Sequence, residues 1–488
     1  MNSWLPLLVA IPLGAAFLIP LLSRRSEWVP DLLGNATMAV LAGLALATVG
    51  RTGVYHMGAW DTPLGIDLRV DGLTSLLLVC INVVGLVAAL FSVEYMRLYT
   101  AKSHYYALFL LMVAGMNGVA LTGDLFNLFV FMEIAAIASY ALVAFGCEHE
   151  ELEASFKYTV LGGMASAFIL IGIALVYGVA GSLNMAQIAT HLSAAGGPGR
   201  PILLALAFFV CGLGLKAALV PFHAWLPDAH PSAPAPVSAM LSGVVIKALG
   251  IYALARLLFN VFGITPELLQ GLRWLGLISM VAGVLLAIGQ WDMKRLFAYH
   301  SISQIGYVAL GIGLGTPLGT VGGLFHLLNH SVFKSLLFLN GGAVEYATGT
   351  RELKRLGGLS ARLPVTGGTS LVASLAIAGV PPLNGFWSKL LIVLACVESG
   401  HPALALAAVL VSLLTLASFL KVQKYAFFDA VRPATVTAKE VPWLMRIAML
   451  ILAALCVATS LLIWTNLRSP LLIGPAAEAL LAGALRMG

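Results

Sequence analysis

Residues 322–339 have the sequence GGLFHLLNHSVFKSLLFL, an apolar run that three ionisable side chains interrupt. His326, His330 and Lys334 follow one another at intervals of four residues, so an α-helix places them on one face. A charge inside a bilayer costs at least about 2.5–3.5 kcal/mol on insertion scales, so these groups must face a protein interior. The stretch predicts a membrane helix with a candidate proton relay, since imidazole titrates near neutral pH. The alternative is that each histidine is a satisfied structural residue.

The composition of the whole chain agrees with a membrane protein. Of its 488 residues, 60% are hydrophobic and only 10% are charged. A soluble globule of this size needs more charge to cover its surface, which excludes a soluble enzyme, a disordered protein and a nucleic-acid-binding protein. The five cysteines lie far apart without a CxxC pair, which argues against a disulfide framework or a metal cluster.

Apolar stretches long enough to span a bilayer recur along the chain, and we count about fourteen of them by length. The breaks between them are short and leave no room for a separate soluble domain. The expected fold class is therefore an all-α polytopic membrane protein with about 14 transmembrane helices. The predicted spans are 4–22, 29–49, 71–95, 104–122, 124–146, 154–179, 201–219, 233–261, 274–290, 293–315, 317–345, 365–397, 402–427 and 443–465.

The basic residues that we assign to the loops, some of them within the end turns of the neighbouring spans, predict the orientation, because cytoplasmic loops carry an excess of Lys and Arg. Sixteen of them follow odd-numbered spans and seven follow even-numbered ones, which places loops 351–362 and 424–446 in the cytoplasm and both termini opposite. The first span ends at Arg24 and Arg25 instead of beginning with charge, so we expect a retained helix and not a cleaved signal peptide. The basic residues that follow odd-numbered spans are Arg24, Arg25, Arg97, Lys102, Lys157, Lys294, Arg295, Arg351, Lys354, Arg355, Arg362, Lys421, Lys424, Arg432, Lys439 and Arg446. Those that follow even-numbered spans are Arg51, Arg69, Arg200, Arg256, Arg273, Arg468 and Arg486.

Four lysines that the orientation count leaves over, together with one glutamate, fall inside predicted spans: Glu133, Lys216, Lys247, Lys334 and Lys389. Any one of them could snorkel to an interface or form a structural pair. Five together favour a proton or ion path across or along the membrane. Lysine suits such a path because burial favours its neutral form, so that a proton can come and go. We expect Glu133 and Lys216 to lie within direct or one-water reach, because neither charge is tolerable alone.

Prolines interrupt two of the predicted spans. The stretch GLGLKAALVPFHAWLPDAH (212–230), which continues the seventh span, contains Pro221 and Pro227, and the twelfth span contains Pro381 and Pro382 between two glycines. Proline removes a helical hydrogen bond, so we expect broken helices, the second of them a water-lined gate beside Lys389. Breaks at corresponding places predict two inverted repeats, spans 4–8 and 9–13. The expected domains are 1–103 (helices 1–3), 104–261 (first repeat), 262–427 (second repeat) and 428–488 (helix 14 and a short tail).

The remaining polar motifs favour loops. His223, Asp228 and His230 could ligate a metal, but a proline-rich turn with polar caps is the favoured interpretation. The cluster CEHEELE at 147–153 lacks the HExxH spacing, and we expect a solvated loop that leads into a helix. No glycine-rich nucleotide-binding motif occurs in a suitable context, so we expect no cofactor and no metal.

Several motifs together resemble the antiporter-like subunits of respiratory complex I, a family that includes subunits of membrane-bound hydrogenases and of Mrp-type cation/proton antiporters. The resemblance covers roughly residues 70–425. The motifs are GDLFNLFVFMEI (123–134), ELEASFKYTVLGGMASAFIL (151–170), KAALVPFHAWLPDAHPSAPAPVSAML (216–241), DMKRLFAYHSISQIGYV (292–308), FHLLNHSVFKSLLFL (325–339) and PPLNGFWSKLLI (381–392).

The resemblance implies a role for each buried ionisable residue. Glu133 matches the family's glutamate on the fifth helix, which pairs with the lysine of the broken seventh helix, here Lys216. Lys247 matches the lysine of the eighth helix, and Lys389 matches the basic residue of the broken twelfth. The family's histidine and lysine positions on the eleventh helix are matched by His326, His330 and Lys334.

The expected function is that of a proton-translocating subunit, without a redox centre of its own, in a complex I-type or hydrogenase-type ion pump. The alternative is a subunit of a Mrp-type Na⁺/H⁺ antiporter that is not coupled to redox chemistry. The expected partners are other membrane subunits of the same complex, protons or Na⁺, and the lipid bilayer, but not nucleic acid. The expected location is the inner membrane of a bacterial or archaeal cell. A purely structural scaffold would not need five buried ionisable residues.

Overall fold

The computed structural model describes residues 3–23, 26, 28–463 and 466–484 of the chain. Arg24, Arg25 and Arg486, which contribute to the orientation argument, lie outside the described residues. Helices form most of the described chain, and one short hairpin, β1 (Gly53–His56) and β2 (Asp67–Val70), pairs antiparallel with Gly53 opposite Val70.

The helices follow the predicted apolar stretches, with additional short helices between some of them. In chain order they are α1 (Leu7–Leu22), α2 (Val29–Ala47), α3 (Gly72–Leu98), α4 (Lys102–Leu121), α5 (Leu125–Val143), α6 (His149–Ala180), α7 (Met185–Ala194), α8 (Arg200–Lys216), α9 (Leu226–Ser232), α10 (Ala235–Phe262), α11 (Pro266–Ile288), α12 (Met293–Gly313), α13 (Pro317–Thr348), α14 (Pro364–Ala378), α15 (Asn384–Glu398), α16 (Pro402–Phe428), α17 (Trp443–Ile463) and α18 (Ile473–Ala484).

Within the described residues, nine helices are long and apolar enough to cross a membrane: α2 to α6, α10, α11, α16 and α17. The long helices α12 and α13 are not among the nine, because both carry several polar and ionisable side chains. Every residue of α13 from Gly319 to Val344 is buried. A helix that neighbouring helices surround on all sides can carry polar residues that lipid would not tolerate.

Both predicted helix breaks are present. Helix α8 ends at Lys216, and the chain is non-helical until α9 begins at Leu226. Helix α14 ends at Ala378, and α15 begins at Asn384. Each break contains a residue with left-handed backbone, Ala218 with φ 55° in the first and Gly379 with φ 78° in the second. Gly250 of α10 packs directly against Ala217, and any side chain at Gly250 would clash with it.

Connections between helices meet at two separate ends of the protein. At one end, which we call the Arg351 end, Arg351 pairs with Asp292 (2.5 Å) and Glu345 (3.4 Å), and also with Glu150. At the other, the Asn184 end, the Asn184 amide donates to Asp67 (2.9 Å). The residues named at the Arg351 end lie in or beside connections that follow odd-numbered predicted spans, and those at the Asn184 end lie in connections that follow even-numbered ones. A chain that crosses the membrane in alternating directions requires this arrangement.

Several basic residues that the orientation argument places in loops lie in helices instead. Lys294, in the first turn of α12, is only 2% exposed and pairs with Glu345. Arg256, near the end of α10, holds both carboxylate oxygens of Asp71. The prediction was wrong for these residues because a helix can extend past its apolar stretch when a partner satisfies each charge.

The orientation can be tested by labelling single cysteines. With the native cysteines replaced, a cysteine at the exposed position Lys424 should react with a membrane-impermeant maleimide from the cytoplasmic side. A cysteine at Arg200, at the Asn184 end, should react only from the other side, because the two ends lie on opposite sides of the helix bundle. The reverse pattern would contradict the orientation.

Candidate functional site

Lys216 and Glu133 form the ion pair that the sequence predicts. Lys216 occupies the last turn of α8, and its ammonium nitrogen lies 3.3 Å from Glu133 Oε1 on α5. Only 4% of the Lys216 side chain is exposed. The Ser166 hydroxyl (3.2 Å) and the Tyr140 hydroxyl (3.4 Å) complete its hydrogen bonding. A buried ammonium is stable here because a carboxylate and two hydroxyls replace water.

Glu133 is less enclosed than the sequence predicts. In the described chain 26% of its side chain is exposed, although it was expected in the interior with the lysines. The Ser166 hydroxyl donates a short hydrogen bond to the same oxygen, Oε1, that faces Lys216. The pair therefore lies at the rim of the helix bundle, with a buried lysine and a carboxylate that reaches the surface.

Lys247 lies at the centre of α10 and is completely buried. Its ammonium donates to the Ser242 carbonyl at 2.5 Å, and the Ser242 hydroxyl lies 2.7 Å from that of Ser301 on α12. The helix widens into π-helical turns on both sides of this site, at Leu241–Val245 and Lys247–Tyr252. Such turns displace the regular backbone bonds and are frequent at functional sites.

The histidines of α13 stack as the spacing predicts. The rings of His326 and His330 are parallel within 2°, with centroids 6.3 Å apart. His326 lies between the Ser388 hydroxyl (3.0 Å) and the Gln304 side-chain oxygen (3.2 Å). Both ring nitrogens of His330 are buried, and no described group forms a hydrogen bond with them.

Lys334 continues the row one turn further along α13. It is completely buried, donates to the Phe297 carbonyl, and lies 5.5 Å from the centre of the Phe338 ring. Its ammonium is held by a carbonyl dipole and by cation–π attraction rather than by a charge. In the described part of the chain, no carboxylate pairs with Lys247, Lys334 or Lys389.

Lys389 lies at the second break. Its ammonium donates to the Ile377 carbonyl (2.7 Å) at the end of α14 and lies 3.2 Å from the Ser412 hydroxyl. The ring of Tyr307 lies 4.9 Å away in a cation–π contact. Lys389 follows its break along the chain, whereas Lys216 precedes the first one. The carbonyl end of a half-helix carries partial negative charge and stabilises a cation.

The structure adds residues that sequence inspection missed. Tyr140 and Ser166 contact Lys216, and Gln304 contacts His326. His300 is buried against Ser418, with its Nε2 2.9 Å from the hydroxyl. Polar residues within apolar helices were the available signal, but the sequence could not show which of them face the lysines.

The expectation of a proline-rich turn was wrong for two of its three residues, because Asp228 and His230 lie in the short helix α9. His230 is completely buried, with its ring centre 5.4 Å from that of Phe338. Asp228 pairs instead with Lys157 and Arg295, both at 3.1 Å. The 147–153 segment leads into α6 as expected, and Glu148 and Glu151 cap that helix.

Comparison with known proteins gives consistent matches. Residues 122–415 match the family described as NADH:quinone oxidoreductase/Mrp antiporter, TM, and residues 57–109 match the N-terminus of chain 5 of NADH-ubiquinone oxidoreductase (complex I). NADH-quinone oxidoreductase subunit N of Desulforudis audaxviator is 38% identical, over 91% of this chain and 90% of that protein. A Na⁺/H⁺ antiporter subunit of Alkalihalophilus pseudofirmus is 34% identical, over 88% of this chain and 87% of that protein.

Solved structures match over the whole length. A chain of the Mrp complex from Dietzia sp. superposes with a TM-score of 0.92 at 30% identity and full coverage of both chains. A chain of the membrane-bound sulfane sulfur reductase, an archaeal respiratory membrane complex, superposes with a TM-score of 0.91 at 32% identity, covering 99% of each.

Proposed function

Because the chain belongs to the NADH:quinone oxidoreductase/Mrp antiporter family of membrane subunits, we propose that it translocates protons within a redox-driven pump of the complex I or hydrogenase class. The observation that carries this proposal is the row of buried ionisable side chains: Lys216, Lys247, Lys334, His330, His326 and Lys389. Burial of this many ionisable groups in a membrane costs free energy, and such groups typically mark the pathway of an ion or a proton.

The proposal includes a fold of about fourteen spans with two inverted five-helix repeats, spans 4–8 and 9–13. The domains would be 1–103, 104–261, 262–427 and 428–488. The two breaks support this division, since one lies in each proposed repeat and each contains a left-handed residue.

In the proposed mechanism, Glu133 controls the charge of Lys216. The carboxylate stabilises the protonated lysine at 3.3 Å, and its movement away favours release of the proton. The proton then passes by way of Lys247 and the histidine row to Lys389. Each inner lysine is bonded to a neutral carbonyl, and this holds an ammonium less strongly than a carboxylate does. Neighbouring subunits would supply the driving movement.

A second candidate is a subunit of a Mrp-type Na⁺/H⁺ antiporter. The full-length superposition on a chain of the Mrp complex favours it. Both candidates use the same buried row and differ in the driving reaction. The chain is an integral multi-pass membrane protein, and we place it in a bacterial or archaeal inner membrane beside other subunits of its complex.

Copurification distinguishes the two candidates. The tagged chain, extracted in a mild detergent, should copurify with subunits of a quinone reductase or a hydrogenase if the first proposal holds. Redox-driven pumping requires that this subunit be assembled with the subunits that carry out the redox reaction. Mass spectrometry identifies them. Recovery of small antiporter subunits without redox partners would favour the second candidate.

Substitution of Lys216 tests the first step. Lys216→Ala should lower proton pumping by at least roughly a hundredfold, since a proton-transfer group typically contributes that much. Dye-reported acidification of membrane vesicles measures pumping, and native gels measure assembly. Lys157→Ala, at a half-exposed lysine that pairs with Glu153, is the matched control and should pump normally. Normal pumping by an assembled Lys216→Ala complex would remove Lys216 from the path.

Substitution of Lys389 tests the second break as a gate. Lys389→Met keeps the volume of the side chain but removes the charge at the Ile377 carbonyl, so pumping should fall at least roughly tenfold while the complex still assembles. The alternative is that the break only eases packing and Lys389 serves a neighbouring subunit. Lys424→Met, at an exposed lysine, is the control. Normal pumping by Lys389→Met would exclude the gate.

A further inference from the structure

We propose that His230 carries protons between Lys334 and an acidic cleft at the Arg351 end, with the Lys294–Glu345 pair as the exchange point at the cleft. The inference rests on the proposed proton-translocating function and adds a proton access route to it.

The cleft lies where the connections of the Arg351 end meet. It has a volume of about 340 Å³ and is lined by Glu148, His149, Glu150, Glu151, Ser232 and Arg351. A cleft lined by several acidic groups concentrates cations, protons among them. Arg351 lies between the cleft and Glu345, because its guanidinium contacts both Glu150 (3.5 Å) and Glu345 (3.4 Å).

The Lys294–Glu345 pair resembles the Lys216–Glu133 pair, because in both a buried lysine contacts a partly exposed glutamate. Lys294 is 2% exposed and its nitrogen lies 2.8 Å from Glu345 Oε2, while 28% of Glu345 is exposed. In the other pair the exposed fractions are 4% and 26%. Lys294 also donates to the Ala233 carbonyl at 3.3 Å, at the connection between α9 and α10. The pair therefore joins a buried lysine to a partly exposed carboxylate, which Arg351 separates from Glu150 at the cleft.

Aromatic side chains separate this pair from Lys334. Lys334, Phe338 and Glu345 all lie on α13, with Phe338 between the other two. The ring of Phe338 packs edge-on against Phe297 at 5.8 Å and lies 5.5 Å from the Lys334 ammonium. A phenyl ring neither accepts nor donates a transferable proton. A proton therefore cannot pass directly along α13 from Glu345 to Lys334.

His230 lies beside this barrier. Its ring is 5.4 Å from that of Phe338 and 6.0 Å from that of Trp225, and it is completely buried. Neither ring nitrogen has a hydrogen-bond partner among the described groups, which is rare for a buried polar side chain. Two residues along α9, Ser232 lines the cleft. A histidine with only a packing role would leave both nitrogens unsatisfied without compensation.

The transfer is balanced. The neutral imidazole accepts a proton at one nitrogen and releases the proton of the other, so the ring ends neutral in its second tautomer. Return to the first tautomer, by rotation of the ring or by transfer in reverse, completes the cycle. The net result is one proton moved between Glu345 and Lys334 past Phe338.

Two substitutions test the route in membrane vesicles that contain the complete complex. His230→Gln keeps a polar side chain, but an amide cannot relay a proton near neutral pH. Pumping should therefore fall at least roughly tenfold while assembly persists. His191→Gln, at an exposed histidine of α7, is the matched control and should pump normally. Normal pumping by assembled His230→Gln would overturn the inference.

A double variant separates a relay from a packing role. Phe338→Ala opens space beside Lys334 that water can enter, so His230→Gln/Phe338→Ala should recover pumping at least roughly threefold over His230→Gln. If His230 only packs, the second cavity should lower pumping and assembly further. If His230→Gln/Phe338→Ala does not assemble, His230→Gln/Phe338→Ser replaces it, with the same expected result.

Lys216→Ala in the same vesicles shows which proposal fails. If Lys216→Ala stops pumping and His230→Gln does not, the access route is wrong and the proposed function stands. If Lys216→Ala pumps normally, the proposed function itself is wrong, and the inference falls with it.

Discussion

Lipid supplies no hydrogen bonds, so each polar group that this chain carries into the membrane must be satisfied by other protein groups or by water. The position of α13 follows from that constraint. Its histidines and Lys334 are surrounded by protein, because every residue from Gly319 to Val344 is buried. The apolar side chains face outwards instead, as on α16, where Leu406, Leu410 and Leu413 are among the exposed residues. The fold thus keeps these polar residues inside, within a core that is itself largely apolar, and exposes further apolar side chains outside.

The same constraint explains how two helices can be broken at this depth. At the second break, Lys389 and the Ser412 hydroxyl bond the Ile377 and Ala378 carbonyls that the missing turn frees. At the first, the indole of Trp225 donates to the Leu215 carbonyl, and the Val220 amide donates to Ser279. Side chains therefore replace the lost backbone bonds. Lys389 is both a candidate proton carrier and part of what holds its own break together.

The buried lysines are of two kinds. Lys216 and Lys294 pair with carboxylates that reach the surface, so events outside the chain can change the charge beside them. Lys247, Lys334 and Lys389 are bonded to neutral carbonyls. Carbonyls stabilise an ammonium less than a carboxylate does, and this leaves the inner protons easier to move. The two lysine–carboxylate pairs at the rim would control proton transfer, and the three inner lysines would conduct the protons.

The class of fold, the two breaks and the residues of the buried row follow from local features of the sequence. Apolar length, proline position and isolated charges are local properties, and each has one physical consequence in a membrane. The spacing of His326 and His330 was sufficient to predict their stacking, because both lie on one helix.

Which side chains from different helices meet depends on the packing of the whole chain. It placed Lys294 in a buried pair with Glu345 and His230 beside Phe338, although Lys294 had been assigned to a loop and His230 to a proline-rich turn. It also brought Tyr140 and Ser166 to Lys216 and left part of Glu133 exposed. Sequence could not show these contacts, because they depend on how separate helices rotate and pack against one another, and no local pattern records that.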